Sequence, residues 1–135
     1  MIEREGHVNI VEGNDVILAR QKGRKIAQEV GFRAIEQTRL ATAISELTRN
    51  VLVHAVRGEC FIKGWQENQT SHLEVVVEDH GPGISDISQA LEDGFSTAGG
   101  LGAGLPGTRR LMDSFHIFSE PGHTRISIGM QRKMR

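Results

Sequence analysis

Asp93-Gly94-Phe95-Ser96-Thr97-Ala98-Gly99-Gly100-Leu101-Gly102-Ala103-Gly104-Leu105-Pro106-Gly107 is the stretch on which the reading of this chain turns. A glycine-rich segment that opens a helix offers unpaired backbone N–H groups and the positive end of a helix dipole. Together these make a cradle for phosphate. Ser96 and Thr97 can add hydroxyl donors, and Pro106 suits a first helical turn. The plain alternative is a flexible surface loop, which fits poorly with a helix directly behind it. No GxxxxGK[ST] is present, so this is not a P-loop. Gly102-Ala103-Gly104-Leu105-Pro106-Gly107 matches GxGxxG. A dinucleotide fold, however, needs a strand immediately before that motif, and Phe95 to Leu101 does not read as one.

Working outward, the same chemistry reaches back to Asp79. Gly81, Gly83, Gly94, Gly99, Gly100, Gly102, Gly104 and Gly107 crowd one region of a chain that has 16 glycines in 135 residues. Asp79-His80-Gly81-Pro82-Gly83 follows a valine-rich strand. An Asp at a strand end can accept a hydrogen bond from an amine in a cleft. Gly81 and Gly83 lack side chains, so a flat ring can approach the backbone. Asp-x-Gly-Pro-Gly is also good chemistry for a plain turn.

Further upstream, Glu46, Asn50 and His54 are spaced i, i+4, i+8. On a helix they form one polar row beside the apolar stripe Leu40, Ile44, Leu47, Val51 and Ala55. A carboxylate and an amide so placed can face a cleft while the stripe packs on a sheet. Solvated helices also carry Glu and Asn four apart without binding anything. Arg49 projects to the opposite side and reads as a solvated residue. His54 reads as a packing residue.

Around this centre the pattern is β-α-α-β-β-(loop, short α)-α-β-β. Strands are expected at His7–Val11, Glu59–Gln66, Leu73–Glu78, Phe115–Ser119 and Thr124–Met130. Helices are expected from Asn14, as cap, to about Val30, and over Ala34–Val56, Ile87–Leu91 and Leu105–Ser114. Glu67–Ser71 reads as a polar turn, and Arg132 to Arg135 as a frayed basic tail. Helices cluster early and strands pair through short turns, which is an α+β two-layer pattern rather than a βαβ alternation.

Composition bounds the rest. The 135 residues suffice for one domain, spanning 1–135. Sixteen basic against 17 acidic residues give a net charge of −1, which argues against nucleic acid as a partner. Cys60 is the single cysteine, so no intrachain disulfide can form. No apolar run approaches a membrane span, and the N-terminal residues lack a signal-peptide core. A cytoplasmic location is the expectation. Zinc-type spacings and a nucleophile elbow are both absent.

Glu-x-x-x-Asn on a helix, Asp-x-Gly-x-Gly after a strand and a glycine-rich lid opening a helix occur here in that order. The chain thereby resembles the GHKL ATP-binding superfamily of gyrase-type topoisomerases, Hsp90-type chaperones, histidine kinases and anti-sigma-factor serine kinases. Ala43-Ile44-Ser45-Glu46-Leu47-Thr48-Arg49-Asn50, the lid from Glu92 to Gly107 and Arg110-Leu111-Met112-Asp113 are similar to the stressosome switch serine/threonine kinases. The likeness runs from about Val8 to Met130.

The resemblance implies a two-layer α/β sandwich with a mixed, mostly antiparallel sheet, helices on one face and an ATP lid at about residues 93–105. It implies ATP and Mg²⁺ as cofactors. Glu46 would be the general base and Asn50 the Mg²⁺ ligand. Asp79 would accept the adenine amine, with Thr124 beside it, although Gly122-His123-Thr124 departs from the Gly-Thr of many relatives. Gly81 and Gly83 would admit the base. Thr97, Gly99, Gly100, Leu101, Gly102, Ala103, Gly104 and Leu105 would wrap the phosphates.

The implied partners are STAS-domain antagonist and scaffold proteins of a stressosome, and a downstream regulator such as a PPM-type phosphatase. The basic face Arg20, Arg24 and Lys25 is a docking candidate, though also an ordinary solvated face. Two other readings stay open: an anti-sigma factor kinase that sequesters a sigma factor, and a non-catalytic nucleotide-gated binding module.

Overall fold

The structure is a computed structural model that describes residues 2–83 and 104–134. The elements are β1 (Glu3–Ile10), α1 (Gly13–Glu29), α2 (Ala34–His54), β2 (Gly58–Glu67), β3 (Thr70–Asp79), α3 (Gly104–Leu111), β4 (Ser114–Glu120) and β5 (His123–Lys133). The short helix expected at Ile87–Leu91 lies outside the described residues. Elsewhere the expected order holds.

The strands form a single five-stranded sheet in the order β1-β2-β3-β5-β4. All four pairings are antiparallel, so the described sheet is purer than the mixed one the resemblance implies. Alternation decides its faces. Ile10, Cys60, Ile62, Leu73, Val75, Val77, Ile126, Ile128 and Met130 point to one side and are buried. The helices lie on that side: α1 over β1 and β2, α2 over β2 and β3, and α3 against α2. The stripe predicted for α1 is the one that packs: Val16, Ala19, Gly23, Ile26 and Ala27 are all buried. Each fully buried Ile, Leu or Val contributes about 1.5–3 kcal/mol by leaving water. Arg24 and Lys25 are exposed, and Arg20 is half-buried.

Several boundaries differ from the sequence reading: β1 begins at Glu3 and not His7, α3 ends at Leu111 and not Ser114, and three further differences have a visible cause in hydrogen bonding. The first helix opens after Glu12 and not at Asn14. The Asp15 carboxylate accepts the backbone N–H groups of Val11 at 2.9 Å and Glu12 at 3.0 Å, which fixes the start two residues earlier. The turn at Glu67–Ser71 shrinks to Asn68-Gln69. Both residues have positive φ, 52° and 60°, as in a type I′ hairpin. Ser71 belongs to β3, and its hydroxyl donates to the Val30 carbonyl at 2.6 Å, while Gln66 Nε2 donates to the same carbonyl at 2.9 Å. These bonds satisfy the end of α1. The basic tail is held as far as Met134. Arg132 and Lys133 continue β5, and the Met134 N–H donates to the Gln69 carbonyl at 2.8 Å.

Gly58 sits where β2 is pressed between β3 and α2. A Cβ there would run into the Glu78 backbone carbonyl and lie 2.9 Å from Val51 Cγ1 and 3.2 Å from Asp79 Cβ. Gly58→Ala is therefore expected to cost about 1–3 kcal/mol and to lower Tm by roughly 3–12 °C in a circular-dichroism melt. Gly13→Ala, where nothing lies within 4 Å, should leave Tm unchanged or raised.

Cys60 supplies a second check. Burial pushes its thiol from an ordinary 9.0 up to about 12. The unfolded chain loses that proton near pH 9 while the folded chain keeps it. The stabilisation is thus complete below pH 9 and declines as pH rises toward 12. Iodoacetamide should label Cys60 at pH 8 only after denaturation. Rapid labelling of the folded chain would contradict its placement.

Candidate functional site

Helix α2 brings the first part of the site. It is apolar toward the sheet, and its buried hydroxyls are spent inside the helix. Ser45 Oγ donates to the Ala41 carbonyl at 2.8 Å and Thr48 Oγ1 to the Ile44 carbonyl at 2.7 Å. Glu46 is buried too, at 1% exposure. Arg49 Nη1 lies 3.5 Å from Glu46 Oε1. The expectation that Arg49 projects away into solvent is thereby corrected. An i,i+3 spacing lets the guanidinium fold back over the preceding turn, toward the buried carboxylate. Asn50 is half-buried, one turn beyond Glu46. His54 is exposed, so it is not the packing residue expected.

Strand register brings the second part. Asp79 pairs with Gly58 on one side and Thr124 on the other, and Thr124 pairs in turn with Ser119. These four residues form one row across four strands, at the end of the sheet near Val51. Thr124 is 5% exposed, and its hydroxyl lies 2.6 Å from that of Ser119. Thr124 thus stands beside Asp79 although His123 precedes it. Ser119 was missed. Its only signal is its mirror position to Thr124 across the Glu120–His123 turn.

The third part is the turn after β3. Asp79 Oδ1 accepts the Gly81 N–H at 3.0 Å. Gly81 in turn accepts the Gly122 N–H at 2.9 Å through its carbonyl. A Cβ on Gly81 would lie 2.6 Å from Ala55 Cβ, and one on Gly83 would lie 2.5 Å from the Glu120 carbonyl oxygen, with φ already +86°. Both glycines are therefore required by close protein packing. This is a reason distinct from the ring access expected of them. Within the same turn His80 stacks on His123 at 5.3 Å, and His123 Nε2 lies 2.9 Å from Glu78 Oε2.

Of the lid, Gly104 and Leu105 are described. Gly104 opens α3 with φ +59°, and its carbonyl accepts Thr108 Oγ1 at 3.0 Å. The Leu105 side chain is in the core at 5% exposure, which leaves its backbone as the part able to meet a ligand. Thr97, Gly99, Gly100, Leu101, Gly102 and Ala103 lie outside the described residues. The structure thus brings Asn50, Asp79, Gly81 and Thr124 to one end of the α2–sheet layer. Glu46 stands one turn further back on the helix.

Residues 35–133 match the family described as histidine kinase-, DNA gyrase B-, and HSP90-like ATPase. Among curated proteins the chain is similar to the serine/threonine-protein kinase RsbT of Bacillus subtilis, with 49% identity over 115 residues. That match covers 85% of this chain and 86% of the relative. It is also similar to the anti-sigma F factor of Oceanobacillus iheyensis, at 31% identity over 64% of this chain and 62% of the relative. Two solved structures share the fold. The RsbU and RsbW domains of Rv1364c from Mycobacterium tuberculosis match with a TM-score of 0.66 at 17% identity, over 100% of this chain and 34% of that one. The mycobacterial sensor histidine kinase MprB matches with a TM-score of 0.55 at 17% identity, over 95% of this chain and 97% of that one. A match of this breadth to the family, joined to a 49%-identical relative of nearly equal span, means that the chain belongs to the histidine kinase-, DNA gyrase B- and HSP90-like ATPases, on the branch of the serine/threonine-protein kinase RsbT.

Proposed function

We propose that this chain, an enzyme of the serine/threonine-protein kinase branch, transfers the γ-phosphoryl group of Mg-ATP to a serine or threonine of STAS-domain stressosome proteins. Phosphorylation of those scaffolds releases it to activate a downstream regulator such as a PPM-type phosphatase. The location is the cytoplasm; no described helix is long and apolar enough to cross a membrane.

The observation that supports this reading best is the meeting of α2 with the Gly58–Asp79–Thr124–Ser119 row. Asp79 is an acceptor beside two hydroxyls, a set suited to an amine edge with neighbouring polar atoms, as in adenine. Asn50 offers a neutral oxygen near that row. Among the described residues no three His, Cys, Asp or Glu side chains are grouped to hold a metal. A Mg²⁺ ion here would take one amide oxygen from Asn50 and complete its shell with phosphate and water, which suits its preference for oxygen and its reluctance to dehydrate. When bound, Mg-ATP supplies the transferable phosphoryl group and part of the charge neutralisation that phosphoryl transfer needs. Glu46 takes the proton of the acceptor hydroxyl. Gly104 and the N–H groups that open α3 face the phosphates. The likeness to an anti-sigma F factor favours one second reading, a kinase of this fold that also sequesters a sigma factor.

The test is labelling in an extract of the source with γ-labelled ATP and Mg²⁺. One small, acid-stable band is expected. Glu46→Ala should reduce it about 10²–10⁴-fold with ATP affinity retained. Asp79→Asn should lose about 10-fold or more in ATP affinity, since a charged acceptor is replaced. An acid-labile band would point to phosphohistidine. ATP binding with no labelled band would leave a nucleotide-gated binding module. Recovery of a sigma factor on the immobilised chain would favour the second reading. Separately, Asn50→Ala should move the Mg²⁺ titration of ATP binding at least about 10-fold upward. An unmoved titration would remove Asn50 as the metal ligand.

A further inference from the structure

Arg49 is a charged neighbour of Glu46 that helical periodicity alone gives no reason to expect. Its Nη1 is fully buried, 3.5 Å from Glu46 Oε1, and has no hydrogen bond among the described residues. The side chain as a whole is 26% exposed, so part of it reaches solvent while Nη1 stays in the interior at Glu46. A separation of 3.5 Å is an ion-pair distance, beyond the 2.7–3.2 Å of a good N–H···O bond.

We propose that Arg49 is a positioning residue for phosphoryl transfer: it compensates the buried Glu46 carboxylate and fixes its direction on the helix. The inference rests on the kinase reading for its catalytic half, while the pairing itself does not. A carboxylate at 1% exposure is strongly disfavoured without a nearby positive charge. A base must also be aimed. A displacement of about 1 Å in such a site can cost 10²-fold in rate. The planar guanidinium on the next turn restricts the carboxylate to one side of α2, in line with Asn50. Because the pair is loose, Arg49 orients the oxygen without locking it in a short bond that proton transfer would have to break.

Arg49→Met keeps length and removes charge, and Arg49→Lys restores charge without the planar fork. Both are compared with the unaltered chain for affinity toward a fluorescent ATP derivative with Mg²⁺, and for transfer from γ-labelled ATP to the acid-stable band. All three should bind the nucleotide within about twofold of one another. Transfer should fall about 100-fold in Arg49→Met and recover at least about 10-fold in Arg49→Lys. Wild-type transfer by Arg49→Met would overturn the proposal. So would equal loss in both variants, or loss of nucleotide affinity in step with rate.

A melt without nucleotide tests the pairing apart from catalysis. Arg49→Met should lower Tm by about 5 °C or more, and by less than half of that when Glu46→Gln is already present. Equal shifts in both backgrounds would overturn the pairing. An unaltered chain that binds Mg-ATP but transfers nothing, with the melting coupling intact, would overturn the kinase reading and the catalytic half of this inference with it.

Discussion

The contact between Gly58 and the Glu78–Asp79 segment sets the geometry on which the site depends. β2 enters the sheet beneath the last turns of α2, with Val51 packed against a residue that has no side chain. That approach lowers the end of α2 onto the end of β3. Asp79 therefore lies under the helix that carries Asn50, and antiparallel pairing then carries the row on to Thr124 and Ser119. Register has a period of two, so a one-residue slip in either ladder would turn Asp79 or Thr124 to the opposite face. The hydrophobic alternation of Val75 and Val77 against Ile126 and Ile128 holds the register, because a slip would expose all four. Core packing and site assembly are the same constraint at this end of the sheet.

Helix α2 has to satisfy two environments. One face is a continuous apolar stripe, and it was readable from 3.6-residue periodicity. The other buries Glu46, which costs free energy that the stripe and the nearby guanidinium offset. Ser45 and Thr48 add polarity to a buried helix without demanding outside partners, since each bonds to the turn before it. An anion, an amide and a cation thus share two successive turns beside a dry core. Such an arrangement makes local electrostatics strong, because little water is present to screen it.

Elements and their order were legible because the apolar periods are clean and the turn residues conventional. Ends were less legible. Asp15, Ser71 and Gln66 look like surface or turn residues in one dimension, yet each closes a helix end in three. Motif order singled out Glu46, Asn50 and Asp79 as candidates, and the resemblance added Thr124; register sets Thr124 beside Asp79. Arg49 was not singled out, because periodicity assigns a face to the Cβ and says nothing of where a long, flexible side chain folds back. Ser119 was hidden for another reason: its role follows from pairing across a turn, and single-strand patterns do not carry pairing. Gly81 and Gly83 were read as positions open to a flat ring, whereas the closeness the structure shows there is to Ala55 and the Glu120 carbonyl.

The hairpin at Asn68-Gln69 gathers Ile2 and Met134, the first and last described residues. The Gln66 N–H reaches the Ile2 carbonyl at 3.0 Å, and the Met134 N–H reaches the Gln69 carbonyl at 2.8 Å. β3 runs from this pole to Asp79 in ten residues, a span of about 30 Å. Polypeptide joined at either end therefore emerges far from Asp79 and beside the other end. The molecule can be tethered, tagged or circularly joined there with its working end facing outward, in the manner of a tool held by its handle.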